Sequence, residues 1–447
     1  MKKMSLLMVS VLLAIVIISC NNDPTDNNND NRNEPETIIV NGATLDEKLR
    51  WISWNAKNYT TYIVEVDEDT TIDSYSFGGD LFGYNSSITN IIIKLLSNNG
   101  STIKRQKNYD RSLFRIGKGV TLILDNINII DTSPSYYVEN YSWSLLYLEG
   151  GNLIINQGTN IYGIKKGDGI MVSAGSLTMN GGLISDFNRG IYLNYVIYTS
   201  GGTSLSTESY LKEFIMNGGV IKNEIHVRYG LFTLNNGEIL DNSGVSIGEK
   251  GTFTMEGGKI YNNKRSGVSV DGKGSTFTMK GGEIFNNTTN TTSSYGGGGV
   301  RIGNDATFTM DSGKIYNNII NTSYSSLGIG GGGVYVSGVF NMGGGEIFSN
   351  TVSIQDNYIN NSSRVGGGGV YVASGGILYK TGGTINGYIK DDINSNTVII
   401  NDIVEQNRGH AIYVGPSSYG NEKIKNTISD PSNNLFYING EYSGEWD

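Results

Sequence analysis

From Phe253 the chain reads FTMEGGKIYNN, from Phe277 FTMKGGEIFNN and from Phe308 FTMDSGKIYNN. Apolar and polar positions alternate in each copy. Phe253 and Met255 fall on one side of an extended segment, Thr252 and Thr254 on the other. A glycine turn follows, then a segment with Ile260 inward between Lys259 and Tyr261. After a second turn comes GVSV, with Val268 and Val270 inward. This period of two, broken by Gly and Asn, predicts three strands of about four residues per module.

Aligned on the first strand, modules start at Leu177, Phe214, Phe232, Phe253, Phe277, Phe308, Phe340 and, degenerately, Leu378. A constant module with a variable gap is a coil carrying loops of changing length. Strands this short cannot pair along the chain, but each can pair with its counterpart one turn later. The expected fold is all-β: a right-handed single-stranded parallel β-helix with three short strands per rung and rungs about 4.8 Å apart. Phe232, Phe253, Phe277, Phe308 and Phe340 should then stack, as should Val245, Val268, Val300, Val334, Val370 and Ile412. The variable period excludes leucine-rich and hexapeptide solenoids, and three strands per module exclude a propeller.

Three further columns fit this register. Asn242, Asn263, Asn287, Asn318 and Asn350 each fall three residues after the inward Ile and are expected to form a structural ladder. Glu238, Lys259, Glu283, Lys314 and Glu346 alternate in sign, so that a slip of one rung would juxtapose like charges. Tyr261, Phe285, Tyr316 and Phe348 form an outward aromatic column, a candidate platform for sugars as well as a self-stabilising stack.

Ahead of the modules, GATLDEKLRWISWNAK pairs Thr44 with Glu47 as a capping box and sets Leu45, Leu49 and Ile52 on one helical face. That predicts an amphipathic helix over 44–56 that closes the N-terminal end. Residues 36–110 are read as this cap and the first rungs, 111–422 as the β-helix repeats and 423–447 as a C-terminal cap. Between the second and third strands the gap grows from two residues (243–244) to 12 (288–299), 15 (319–333) and 19 (351–369). All insert at one corner, which is the candidate binding face. Its residues are Tyr295, Tyr324, Tyr358 and Arg364, with Tyr335 and Tyr371 in an outward column that also holds Ser246, Ser269, Arg301 and Tyr413.

The first twenty residues, MKKMSLLMVSVLLAIVIISC, change the picture of where the protein works. Lys2 and Lys3 precede an apolar run, Leu6–Ile18, that is short for a membrane span. It ends at Cys20, the only cysteine, so that disulfides and thiol catalysis are not expected. Residues 21–35 hold no large apolar side chain and read as a disordered tether. Net charge is −9 with no basic patch, which argues against nucleic acid as a partner. With 62 glycines but no Gly-X-Y period, collagen is excluded.

The leader resembles a bacterial lipoprotein signal with a loose lipobox, implying a lipidated Cys20. WISWNAKNYTTYIVEVDEDTTI, SLFRIGKGVTLILDNINI, the TFTM rungs with GGGGVYV, and the closing SGEWD together resemble the Gly- and Asn-rich β-helix lipoproteins of spirochaetes, in the pectin-lyase-like superfamily. The GGGGV and IxxN elements are also similar to repeats of chlamydial polymorphic membrane proteins, which are surface adhesins. The resemblance implies a protein lipid-anchored to the outer membrane, on its surface or periplasmic face. It carries no catalytic residues across.

Polysaccharide lyases and hydrolases of the β-helix type need clustered outward carboxylates, often with Ca²⁺. No two carboxylates stack in adjacent rungs of the module columns, Asp67–Asp69 and Asp391–Asp392 read as solvated turns, and His226 and His410 fall in different rungs. GGGG before Val300, Val334 and Val370 reads as a flexible corner rather than a phosphate loop. Neither cofactor nor metal is expected. The first expectation is a non-enzymatic adhesin-like scaffold for a glycan or host protein. A carbohydrate-active enzyme and a structural envelope protein are the alternatives.

Overall fold

The structure, a computed structural model, describes residues 35–77, 90–106, 112–132, 144–165, 167–194, 211–291, 296–323, 328–355, 365–405, 409–415, 423–425 and 436–438. The leader with Cys20, the tether to residue 34, and Tyr295, Tyr324, Tyr358 and Arg364 lie outside these residues, as does most of 423–447.

Every module strand pairs in parallel with its counterpart one turn on. Thr252–Met255 aligns with Thr276–Met279, that strand with Thr307–Met310, and that one with Val339–Met342. Lys259–Tyr261, Glu283–Phe285, Lys314–Tyr316 and Glu346–Phe348 form a second ladder. Val245, Val268, Val300, Val334, Val370 and Ile412 are consecutive partners in the third. The fold is a parallel β-helix. The first and third ladders fuse into one 25-stranded sheet because Leu146–Ile155 and Asp168–Met179 run through both without a break. The core is the expected stack: Phe214, Phe232, Phe253, Phe277, Phe308 and Phe340 lie ring on ring at 4.6–4.8 Å.

The repeated words have local reasons. The second glycine of each GG or SG pair takes positive φ, as at Gly282 (81°) and Gly313 (95°). A Cβ on Gly313 would stand 2.5 Å from Met279 Cε, so the methionine of one rung packs into the glycine turn of the next. In NN, the first residue (Asn262, Asn286, Asn317) carries the left-handed backbone that turns the corner. The second points inward. Asn263, Asn287, Asn318 and Asn350 are buried, and each donates Nδ2–H to the next Oδ1 at 2.9–3.0 Å. Asn242 joins through its backbone N–H, and Asn396 extends the ladder by one rung beyond the expected five.

The charge column keeps its register, but its energetics differ along its length. Lys314 and Glu346 come to 3.8 Å at half-exposed positions. Glu238 instead accepts from the Tyr261 hydroxyl at 2.8 Å. Burial, together with this bond to a carboxylate, pushes Tyr261 up to about 12. Such exposed pairs contribute about 0–1 kcal/mol each, so the column sets register more than stability. A second asparagine ladder, on the outside, runs Asn156, Asn180, Asn217, Asn235 at 2.8–3.1 Å.

At the N-terminal end the helix spans Leu45–Asn55. Thr44 Oγ1 accepts from the Glu47 N–H, and Glu47 Oε2 accepts from Ala43 N–H. Leu45, Leu49 and Ile52 are buried in the core. At the far end three ladders finish on reversed strands. Ile403–Val404 lies antiparallel on Thr397–Ile400, Lys423–Lys425 on Ile412–Val414, and Phe436–Ile438 on Ile377–Lys380.

His410 sits in these last turns, fully buried, stacked on Tyr388 at 4.8 Å, with Nδ1 accepting from Val398 N–H at 3.2 Å. Burial holds it below its ordinary value of 6.5 against the opposing pull of hydrogen bonds to the Glu405 and Asn396 backbone. The folded state therefore keeps it neutral where the unfolded chain binds a proton. Its contribution is complete above 6.5 and is lost as pH falls through the lowered folded value. The protection of the Val398 and Gly369 amides, measured against the intrinsic exchange rate at each pH, is expected to fall below about pH 6.5 more than in the first rungs, and His410→Gln should remove that excess. An equal loss of protection along the solenoid would refute it.

Candidate functional site

The long insertions are not free loops. Their first residues form a fourth parallel sheet, Thr288–Thr291, Ile319–Thr322, Thr351–Ile354 and Thr397–Ile400, so that these rungs have four strands where the repeat predicts three. Val352, Ile354, Val365, Val398 and Ile400 make a separate small core beneath it. Toward solvent the sheet presents the columns Thr288, Ile319, Thr351, Thr397 and Asn290, Asn321, Ser353, Ile399. Their side chains link where they can: Asn321 Nδ2 donates to Asn290 Oδ1 at 3.2 Å, and the Thr351 and Thr397 hydroxyls lie 2.9 Å apart.

The returning ends of the insertions are equally ordered. The GGGG corners are buried and bonded rung to rung: Gly297 N–H to Gly330 O, Gly298 to Gly331 O, Gly332 to Gly367 O. Ile329–Gly330 pairs with Val365–Gly366 as a short strap. Glycine is required there by close approach, since a Cβ on Gly330 would stand 2.1 Å from Gly366 O and 2.3 Å from Tyr371 Cδ2. The flexible corner expected from sequence is thus corrected to a packed one, because residues without a Cβ let strap and ladder meet.

This packing also removes two candidate binding residues. Tyr335 and Tyr371 point away from the core as expected, yet with Tyr413 they form a stack at 5.3–5.4 Å that the glycine segments and the last turns cover. Tyr371 keeps 2% of its surface. The second aromatic column does reach solvent. Tyr261, Phe285, Tyr316 and Phe348 stack at 4.9–5.1 Å with planes within 4°. Their faces are occupied by one another, so ring edges, not faces, meet a ligand.

A polar cluster escaped the sequence reading. On the outer side of the third ladder, Arg189 binds Asp168 through two 2.7 Å bonds and lies 4.2 Å over the Tyr192 ring. Tyr192 meets His226 edge-on at 5.7 Å, and His226 Nε2 is 2.9 Å from Glu224 Oε1. Burial raises the Tyr192 hydroxyl. Tyr192 and His226 occupy the column of Ser246, Ser269 and Arg301. Aligning RGIYL and NEIHV with SGVSI would have found them. Asp168 is held by the arginine and nearly fully buried. The His226–Glu224 pair is mostly buried and brings an imidazole and a carboxylate side by side.

Among the described residues no group of three or more His, Cys, Asp or Glu is placed to hold a metal ion. Comparison with protein-family models, with curated proteins and with solved structures finds no match to this chain.

Proposed function

We propose that the protein is a non-enzymatic, lipid-anchored component of a bacterial outer membrane that presents the corner built by its fourth sheet to a glycan or host protein. The carrying observation is that the insertions are packed into a second layer with its own apolar core. Ordering a residue costs about 1–2 kcal/mol, so segments free to drift would not be expected to acquire a core and a glycine ladder. The outward columns, mostly Thr, Asn and Ser with one Ile in each, repeat at about 4.8 Å and suit a ligand of repeating, largely polar units. The leader's resemblance to a lipoprotein signal, with Cys20 at its end, supports the anchor, and the likeness of the motifs to spirochaetal β-helix lipoproteins supports the surface role. No helix among the described residues is long and apolar enough to cross a membrane. A second reading, a polysaccharide-active enzyme, is favoured by the His226–Glu224 contact beside Arg189.

The test is a glycan and extracellular-matrix array on residues 21–447. Binding should fall at least about tenfold in Asn321→Glu and Ser353→Glu, with circular dichroism unchanged. Absence of binding by the parent would refute the scaffold reading and leave a structural envelope role. Cleavage of a bound polysaccharide that His226→Ala abolishes would turn the assignment to the enzyme.

A further inference from the structure

Among the described residues, the largest exposed aromatic side chain is not at the corner but at the opposite end. Trp54 is 87% exposed, and Tyr59, Ile39 and Trp51 keep 62%, 62% and 40%. All four belong to the N-terminal turn: Ile39 ends the first strand, Trp51 and Trp54 lie on the helix, and Tyr59 precedes the strand Thr60–Glu65. At 100° per residue Trp54 lies diametrically opposite the buried face of Leu45, Leu49 and Ile52, with Trp51 beside it. The helix therefore turns its apolar stripe into the solenoid core and Trp54 away from it, while Trp51 packs edge-on against the core residue Tyr62 at 6.2 Å with part of its surface left open. Two charge pairs flank the patch, Arg50 with Asp46 at 2.6 Å and Lys57 with Glu36 at 3.9 Å.

We infer that this end of the solenoid docks on the lipid bilayer, with Trp51, Trp54 and Tyr59 seated at the headgroup level. The occupant follows from the chain outside the described unit. Fifteen residues, 21–35, separate Cys20 from the first strand at Glu36. Fifteen residues reach at most about 50 Å at full stretch. Given the lipid anchor proposed above, on which this step rests, the aromatic end is held beside the membrane at an effective concentration of order millimolar. Trp and Tyr, with an apolar body and a polar handle, favour that interface. A patch with paired charges, on a protein of net charge −9, should bind zwitterionic lipid with little salt dependence. Docked so, the solenoid stands away from the membrane. Eight ladder pairings separate Thr60–Glu65 from Thr276–Met279, which lifts the corner by about 40 Å.

The test uses unlipidated residues 21–447, since the whole described core, from Val40 on, lies in the unit Glu36–Asp447. Trp143 and Trp446 are changed to Phe so that emission comes from Trp51 and Trp54 alone. With phosphatidylcholine vesicles at millimolar lipid, emission should shift to the blue and be quenched by brominated chains, equally at low and high salt. Trp54→Ser with Tyr59→Ser should weaken vesicle binding about tenfold or more. An unshifted spectrum from a folded protein overturns the inference. So does a shift that needs no vesicles and accompanies a doubling of mass, which would make a second copy the occupant. Palmitate labelling of the full chain against Cys20→Ala tests the anchor separately, so that failure of one is not read as failure of the other.

Discussion

Asn318→Ala is expected to destabilise the solenoid by about 3–5 kcal/mol, as much as deleting a large core side chain. Asn318 Oδ1 accepts from both the backbone N–H and the Nδ2 of Asn287, at 3.1 and 2.9 Å. Its own Nδ2 donates to Ile284 O and Asn350 Oδ1 at 2.9 and 3.0 Å. Alanine leaves the neighbouring groups buried with partners missing, at about 1–3 kcal/mol for each that finds no substitute. Asn321→Ala, in the exposed Asn290–Asn321 pair, is the control and should cost under about 1 kcal/mol because water replaces the lost bond. Guanidinium midpoints and amide exchange over 284–320 read the difference. Equal midpoints for the two variants would mean that the inner ladder contributes no more than a surface contact.

Gly330→Ala should cost about 2–3 kcal/mol by overpacking, from one methyl group. The backbone oxygen of Gly366 and the ring of Tyr371 occupy the space the methyl would take, and neither is the free end of a flexible side chain. The strap Ile329–Gly330 is expected to lift from Val365–Gly366 and uncover the tyrosine stack. Gly343→Ala is the matched control, since its Cβ would meet nothing closer than 3.6 Å. Chymotrypsin should cut Gly330→Ala at or near Tyr371 under conditions that spare Gly343→Ala. Indistinguishable digests and melting temperatures would show that the strap yields without cost.

These two sites differ in how readable they were. The asparagine ladder could be read because the residue recurs at a fixed offset from an inward isoleucine, and recurrence at fixed offset in a coil means stacking. The phenylalanine, valine and charge columns yield to the same argument. The fourth sheet does not. No position is the same in all three of TTNT, IINT and TVSI, and they occupy gaps of changing length and are too short for alternation to stand out from a polar loop. Tyr335 and Tyr371 show the other limit. Alternation tells which side of a strand a residue faces, but whether that side is covered depends on segments tens of residues away. Asn396 follows Asn350 by 46 residues, with a degenerate rung between, so that its membership appears only when the strands are paired.

The reversed strands on the last turns carry a consequence for assembly. A parallel ladder that ends on an open edge offers the next strand the same pattern it offered the previous one, and copies of such a chain can add end to end as a fibre. An antiparallel strand replaces the evenly slanted bonding pattern with alternating close and wide pairs. A second molecule arriving in the growth direction of the coil then finds no continuation of its own register. With three ladders finished in this way, the polymer ends inside the monomer: Ile403–Val404, Lys423–Lys425 and Phe436–Ile438 are its chain terminators.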